Sequence, residues 1–179
     1  MHRVRKIQIK QANSMQKRSV SGVTIEPLSS SNIQLDCDED TKYKTTIPVA
    51  CTHKAMYRID ESVIFTSSYK RQTIGIYGGI IAKFIPDWSD LLVVSVNETL
   101  PGTNGWDDLP ETIYDWIQEN ISRIHEICGG KLCVIDILFH PTDSRPIAYQ
   151  LASMFLVNAL QANWASGTDE DIAKIIRGE

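Results

Sequence analysis

Leu91-Leu92-Val93-Val94-Ser95-Val96 and Lys131-Leu132-Cys133-Val134-Ile135-Asp136-Ile137-Leu138-Phe139-His140 are two nearly continuous apolar runs of strand length. A strand with one wet face alternates apolar and polar residues, so continuous runs like these suit strands covered on both faces. Between them Leu109, Ile113, Trp116, Ile117, Ile121, Ile124 and Cys128 recur at three- and four-residue steps, which predicts a helix over about 108–128. Asp108 stands where an N-cap would, Pro110 falls in the first turn, and Glu111 places negative charge at the positive end of the helix dipole. Gly129-Gly130 supplies a stop. Strand, helix and strand in this order make a βαβ unit with parallel strands. The fold class expected is therefore α/β: a three-layer, Rossmann-like, mostly parallel sheet in the C-terminal half.

Downstream, Pro141-Thr142-Asp143-Ser144-Arg145 reads as a loop, and Pro146 opens a helix over about 147–164. Ser166-Gly167 ends that segment, and Thr168 caps a last helix over 169–177, with Asp171 three residues after the cap. Upstream, Pro101-Gly102-Thr103-Asn104-Gly105 is loop, and Gln72–Ile85 is interrupted by Gly75, Gly78 and Gly79. That segment reads as a strand, a glycine turn and then a short helix or second strand. Val23–Leu28, Ile33–Cys37, Thr45–Thr52 and Ser62–Ser68 are brief and rich in β-branched residues, which predicts β-hairpin additions from the N-terminal half, with Tyr57-Arg58-Ile59 pairing to one of them. Residues 1–21 read as a basic flexible arm and residues 22–179 as a single α/β domain.

A chain of 179 residues, 42% hydrophobic and 22% charged, has the make-up of one ordinary globular domain. It is too short for a (β/α)₈ barrel, and no apolar run reaches the roughly 18 residues of a membrane span. The net charge of −4 is unevenly spread. Residues 1–18 hold Arg3, Arg5, Lys6, Lys10, Lys17 and Arg18 and no acid, which leaves 12 basic against 22 acidic residues, or −10, in the remainder. A body this acidic makes general nucleic-acid binding unlikely, since phosphate neutralisation needs concentrated Lys and Arg. The basic arm 1–18 is open to three readings: a solvated tail, an anchor for a protein partner or a second copy, or an organelle-import peptide. No apolar core follows it as in a secretory signal, so a cytoplasmic location with free thiols is expected, organelle import being the alternative.

In a parallel α/β sheet, ligands bind beyond the carboxyl ends of strands, where loops lead into helix N-termini. Residues 97–108 and 140–146 are the two loops that fit. Beyond the second, helix amides and the dipole's positive end face the loop. Thr142 and Ser144 add hydroxyls, Arg145 a planar cation, and His140 a group that donates a hydrogen bond or exchanges a proton. His140, Thr142, Ser144 and Arg145 thus form a candidate site for an anion, phosphate being the commonest. The same residues also have plain structural readings: Asp143 or Ser144 as a helix cap, Arg145 paired with a carboxylate, His140 bonded to backbone.

Other patterns fall short. Asp36, Asp38 and Asp40 open like a calcium loop, but Thr41 stands at its glycine position and Ile47 at its closing glutamate position. Cys51 and His53 share one strand face without a second ligand pair, and Cys37, Cys51, Cys128 and Cys133 match no zinc spacing. His125 reads as a helix-surface residue. No nucleotide glycine motif and no nucleophile elbow is present. The sequence calls for no cofactor and no metal.

The strand ending at His140, followed by a loop, Arg145 and a helix, resembles in outline the cysteine-dependent protein phosphatases, and Trp106-Asp107-Asp108-Leu109-Pro110 is loosely similar to their general-acid loop. Pro141 stands where that family has its nucleophilic cysteine, and four residues separate His140 from Arg145, so the resemblance implies a binding-only relative. Thr142 through Ala148 also resembles the loop and helix of Rossmann-like sensor domains that bind cyclic nucleotides in antiviral signalling, without that loop's glycines. Three functions follow as expectations. The first is a binding or sensing domain for an anionic, phosphate-bearing or nucleotide ligand at 140–146. The second is a hydrolase or inactive phosphatase-like protein, with Asp107 or Asp108 as acid/base and His140 and Arg145 steadying the anion. The third is an interaction or assembly subunit without a small-molecule site.

Overall fold

The computed structural model describes residues 15–28, 41–52, 55, 58–101, 103, 105–124 and 126–179. The expected strand at 33–37, the acidic turn at 36–40, His53, Tyr57, His125 and residues 1–14 of the arm lie outside the described residues.

Seven strands form one sheet: β1 (Arg18–Val20), β2 (Val23–Pro27), β3 (Thr41–Pro48), β4 (Val63–Arg71), β5 (Ile76–Pro86), β6 (Leu91–Asn97) and β7 (Gly130–Leu138). The helices are α1 (Leu109–Ile121), α2 (Pro146–Ala159) and α3 (Asp169–Arg177). Strand order is β1-β2-β4-β5-β7-β6-β3. The βαβ unit forms as its sequence implies: β6 and β7 are parallel neighbours joined through α1. Every other neighbouring pair of strands is antiparallel.

The expectation of a mostly parallel, three-layer Rossmann-like sheet is therefore wrong. The apolar runs correctly mark central strands, but burial does not reveal which strand lies alongside. Beside β7 comes β5, an antiparallel strand of 11 residues that runs on through Gly78 and Gly79, its register against β7 shifting by one residue between Ile81 and Ala82. Glycine inside a strand commonly marks a close approach, and here it does. A Cβ at Gly78 would lie 2.9 Å from Ala148 Cβ of α2.

The helices pack on one another and on a single face of the sheet. That face carries a row through six strands, Ile25–Phe65–Ala82–Val134–Val96–Tyr43, beneath Ile113 and Ile117 of α1 and Tyr149, Ala152 and Leu156 of α2. Burying each large side chain of this row contributes about 1.5–3 kcal/mol. Small residues let α2 sit close: Ser67 of β4 donates to the Ala152 carbonyl at 2.7 Å. The opposite face carries a second row, Ile64–Lys83–Cys133–Ser95, which is also buried.

α1 ends at Ile121, seven residues short of the Cys128 end that the spacing predicts, and so well before the glycine pair. Ser122 turns its hydroxyl back to the Glu119 carbonyl at 2.6 Å, and the next amides bond three residues back. Gly129-Gly130 serves a different purpose. Because β7 lies between β5 and β6, the connection 87–90 passes beneath the start of β7, and the Asp87 amide donates to the Gly129 carbonyl at 3.0 Å. α3 matches its sequence signals: Thr168 Oγ1 accepts from the Asp171 amide at 3.1 Å. Of the stretch 1–21, residues 18–20 form the edge strand β1. Among the described residues, no helix is long and apolar enough to cross a membrane.

Candidate functional site

Beyond Leu138 the chain makes a tight turn into α2. The His140 amide donates to Ser144 Oγ at 2.7 Å, and the Ser144 amide donates back to the His140 carbonyl at 3.1 Å. The Tyr149 hydroxyl donates to the Leu138 carbonyl at 2.9 Å and stands 3.3 Å from Ser144 Oγ. Burial pushes the Tyr149 phenol above its ordinary value, with Ser144 pulling it partly back. The Tyr77 amide at the start of β5 donates to the Asp143 carbonyl at 2.8 Å, which stitches the turn to the sheet.

These bonds divide the expected anion site in two. Ser144 is 3% exposed, and its hydroxyl braces the turn from within. His140, Thr142 and Arg145 remain at the surface. Thr142 Oγ1 lies 3.2 Å from His140 Nδ1 and donates to Asp143 Oδ1 at 3.2 Å. Asp143 Oδ2 stands 3.5 Å from His140 Nδ1 and orients the ring. Arg145 donates to the Ser144 carbonyl at 3.0 Å and takes an extended backbone ahead of α2; no side chain caps that helix.

His140 opens onto a groove of about 540 Å³ whose walls include Lys70, Arg71, Gln72, Tyr77 and Asp143. Lys70 and Arg71 close β4, and a single 3₁₀ turn, Gln72–Ile74, leads through Gly75 into β5. Gly75 has φ +57°, a left-handed conformation that glycine adopts without a Cβ penalty. The Tyr77 and His140 rings meet edge-on at 6.5 Å. Sequence reasoning misses Lys70 and Arg71. Their polarity at a strand end is visible, but their position beside His140 depends on β5 lying next to β7.

The acids expected at the loop after β6 lie elsewhere. Asp108 lines a separate hollow of about 250 Å³ with Trp106, Thr112, Trp116 and Pro146. Its carboxylate makes no capping bond; its backbone carbonyl accepts from the Thr112 amide at 3.0 Å and hydroxyl at 2.8 Å. Trp106 meets Phe139 at 6.4 Å and Tyr149 at 5.7 Å, both edge-on. Asp107 is exposed beside this hollow. The structure therefore does not gather Asp107 or Asp108 into the His140 groove.

The described end of the basic arm is engaged within its own chain. Arg18 Nε and Nη2 donate to Asp169 Oδ1 at 2.9 and 2.6 Å, Nη2 also to the Gly167 carbonyl at 2.8 Å, and Nη1 to the Trp164 carbonyl at 3.0 Å.

No protein-family model matches the chain, and no curated protein matches it. A crystal structure of a protein from Thermus thermophilus aligns with 62% of this chain and 16% of its own, at 19% identity and a TM-score of 0.40. This chain thus spans less than a fifth of that protein, and the likeness is too slight to carry an argument about fold or function.

Proposed function

We propose that this chain is a binding or sensing domain for a phosphate-bearing anion, held in the groove between the β4–β5 turn and the turn after β7. The observation that carries this reading is the meeting of Lys70 and Arg71 with His140 along one groove of about 540 Å³. Two fixed cations at a strand end offer charge-assisted hydrogen bonds, and arginine offers a two-point grip on phosphate. Tyr77 supplies an aromatic wall against which a flat nucleobase packs. His140, steadied by Thr142 and Asp143, donates from its ring, and Arg145 adds a further cation on the loop. Asp143 is the one carboxylate among the named groove residues; it repels an anion placed against it and so biases phosphate towards the Lys70–Arg71 end.

The test is titration with ATP and with inorganic phosphate, followed by calorimetry at low salt. Loss of both cations in Lys70→Ala/Arg71→Ala is expected to weaken binding at least tenfold, with His140→Ala intermediate. Equal affinity in wild type and the double variant overturns the reading. ATP binding without phosphate binding makes Tyr77 the principal wall. A hydrolase with Asp107 or Asp108 as acid/base is not favoured, since Asp108 lines a different hollow.

A further inference from the structure

At the end of the sheet opposite the groove, two cysteines from distant parts of the chain face each other. Cys51 follows β3 and Cys128 precedes the Gly129-Gly130 start of β7. Their sulfurs are 4.0 Å apart, and 77 positions separate them in sequence. Cys51 is half-buried, and Cys128 is buried. Both flanking segments are tied down: the Val49 amide donates to the Asp90 carbonyl at 2.9 Å, and Arg58 donates to the Glu126 carbonyl at 3.2 Å.

We propose that Cys51 and Cys128 are an oxidative modification site, closing to an intramolecular disulfide when the chain meets a peroxide. A disulfide needs a sulfur–sulfur distance of about 2.05 Å. The sulfurs must therefore approach by about 2 Å, a step within reach of side-chain rotation and small backbone adjustment.

The chemistry balances with the peroxide as the two-electron oxidant. The Cys51 sulfur, the more accessible of the two, attacks a peroxide oxygen; the O–O bond breaks, leaving a sulfenic acid and releasing one water. The Cys128 sulfur then attacks the Cys51 sulfur and displaces its hydroxyl, which leaves with the Cys128 proton as a second water. Two thiols and one peroxide give one disulfide and two waters. The order of events follows from the surroundings. The Cys128 thiol is pushed up to about 12, first by burial and then by Cys51 beside it, with Asp87 adding to the shift and a Trp88 backbone hydrogen bond opposing it. Cys128 thus stays protonated at neutral pH and is the poorer first attacker on the peroxide; it gives up its proton to the departing hydroxyl only as it attacks the Cys51 sulfur.

The experiment treats the full chain with hydrogen peroxide, alkylates remaining thiols, digests without reductant and maps the peptides by mass spectrometry. Expected are a loss of two hydrogens, a peptide joining Cys51 to Cys128, reversal by dithiothreitol, and a melting temperature several degrees higher in the oxidised form, as cross-linking a long loop restricts the unfolded chain. Cys51→Ser abolishes the cross-link and Cys133→Ser keeps it. Cys51 halted at sulfinic acid with Cys128 still alkylatable overturns the proposal. A bridge to Cys37, to Cys133 or to a second chain does the same. The wild-type peptide map decides even if Cys128→Ser fails to fold. Phosphate and ATP binding at the far end of the sheet is read separately, so its failure leaves this proposal standing.

Discussion

The two ends of β7 are built on opposite plans. At its amino end, backbone presses on backbone: a Cβ added to Gly129 would lie 2.1 Å from the Ser89 carbonyl oxygen, and one added to Gly130, at φ +150°, would lie 2.2 Å from that of Ile85. At its carboxyl end, a turn braced by Ser144 and Tyr149 presents His140 beside Lys70 and Arg71 across an open groove. One strand thus carries a closed end that fixes the sheet and an open end whose charged side chains add little to stability. Substitution is therefore expected to cost most at the amino end and least among the charged side chains at the carboxyl end.

The sharpest way to break this contrast is at the closed end. Gly129→Ala forces a methyl group into neighbouring backbone and is expected to cost about 3 kcal/mol or more, measured by urea unfolding. A cost below about 1 kcal/mol would show that the connection 87–90 yields easily. Next comes the brace behind the open end. Tyr149→Phe removes the hydroxyl bonded to the Leu138 carbonyl and is expected to cost about 1–2 kcal/mol. Its pH dependence has a definite sign. The folded phenol titrates above its ordinary value of 10.0, so the unfolded chain ionises first. The stability linked to Tyr149 is full below about pH 10 and declines above it, and that part of the alkaline decline is absent from the Phe variant. Smaller again is Gly75→Ala, at the positive-φ residue beside the groove. It is expected to cost about 1 kcal/mol, since the nearest atom to the added Cβ, Asp143 Oδ1 at 3.2 Å, belongs to a side chain that moves. Smallest is Lys70→Ala/Arg71→Ala, whose stability is expected to stay within about 0.5 kcal/mol of wild type while anion affinity falls.

What the amino-acid order reveals, and what it hides, follows the same division. The strands over Leu91–Asn97 and Gly130–Leu138, the apolar face of α1 and the Thr168 cap of α3 rest on local spacing, and local spacing is enough. The partners of β7 are not legible. Apolar continuity reports that a strand is buried and is silent on the direction of its neighbour, which is why the antiparallel β5 escapes notice. Its glycines read as breaks when they are points of contact with α2 and with β4. Gly129-Gly130 misleads in the same way, being a crowded crossing and not a helix stop. The exposed position of His140 and Thr142 beyond β7 is legible because they follow a strand directly. The burial of Ser144 is not legible, because its inward contacts include Tyr149, five residues on. Lys70 and Arg71 are missed because their neighbour in space is about 70 residues away in the chain.

Arg18 adds a temporal constraint. It joins β1 to the α3 segment through Asp169, Gly167 and the Trp164 carbonyl, 146 to 151 positions later in the chain. During synthesis that edge strand leaves the ribosome long before its clamp exists. β1 pairs with β2 through a local turn as soon as both have emerged, but its Arg18 clamp waits for the start of the last helix, and a nascent chain stalled before residue 164 holds Arg18 with none of these three acceptors.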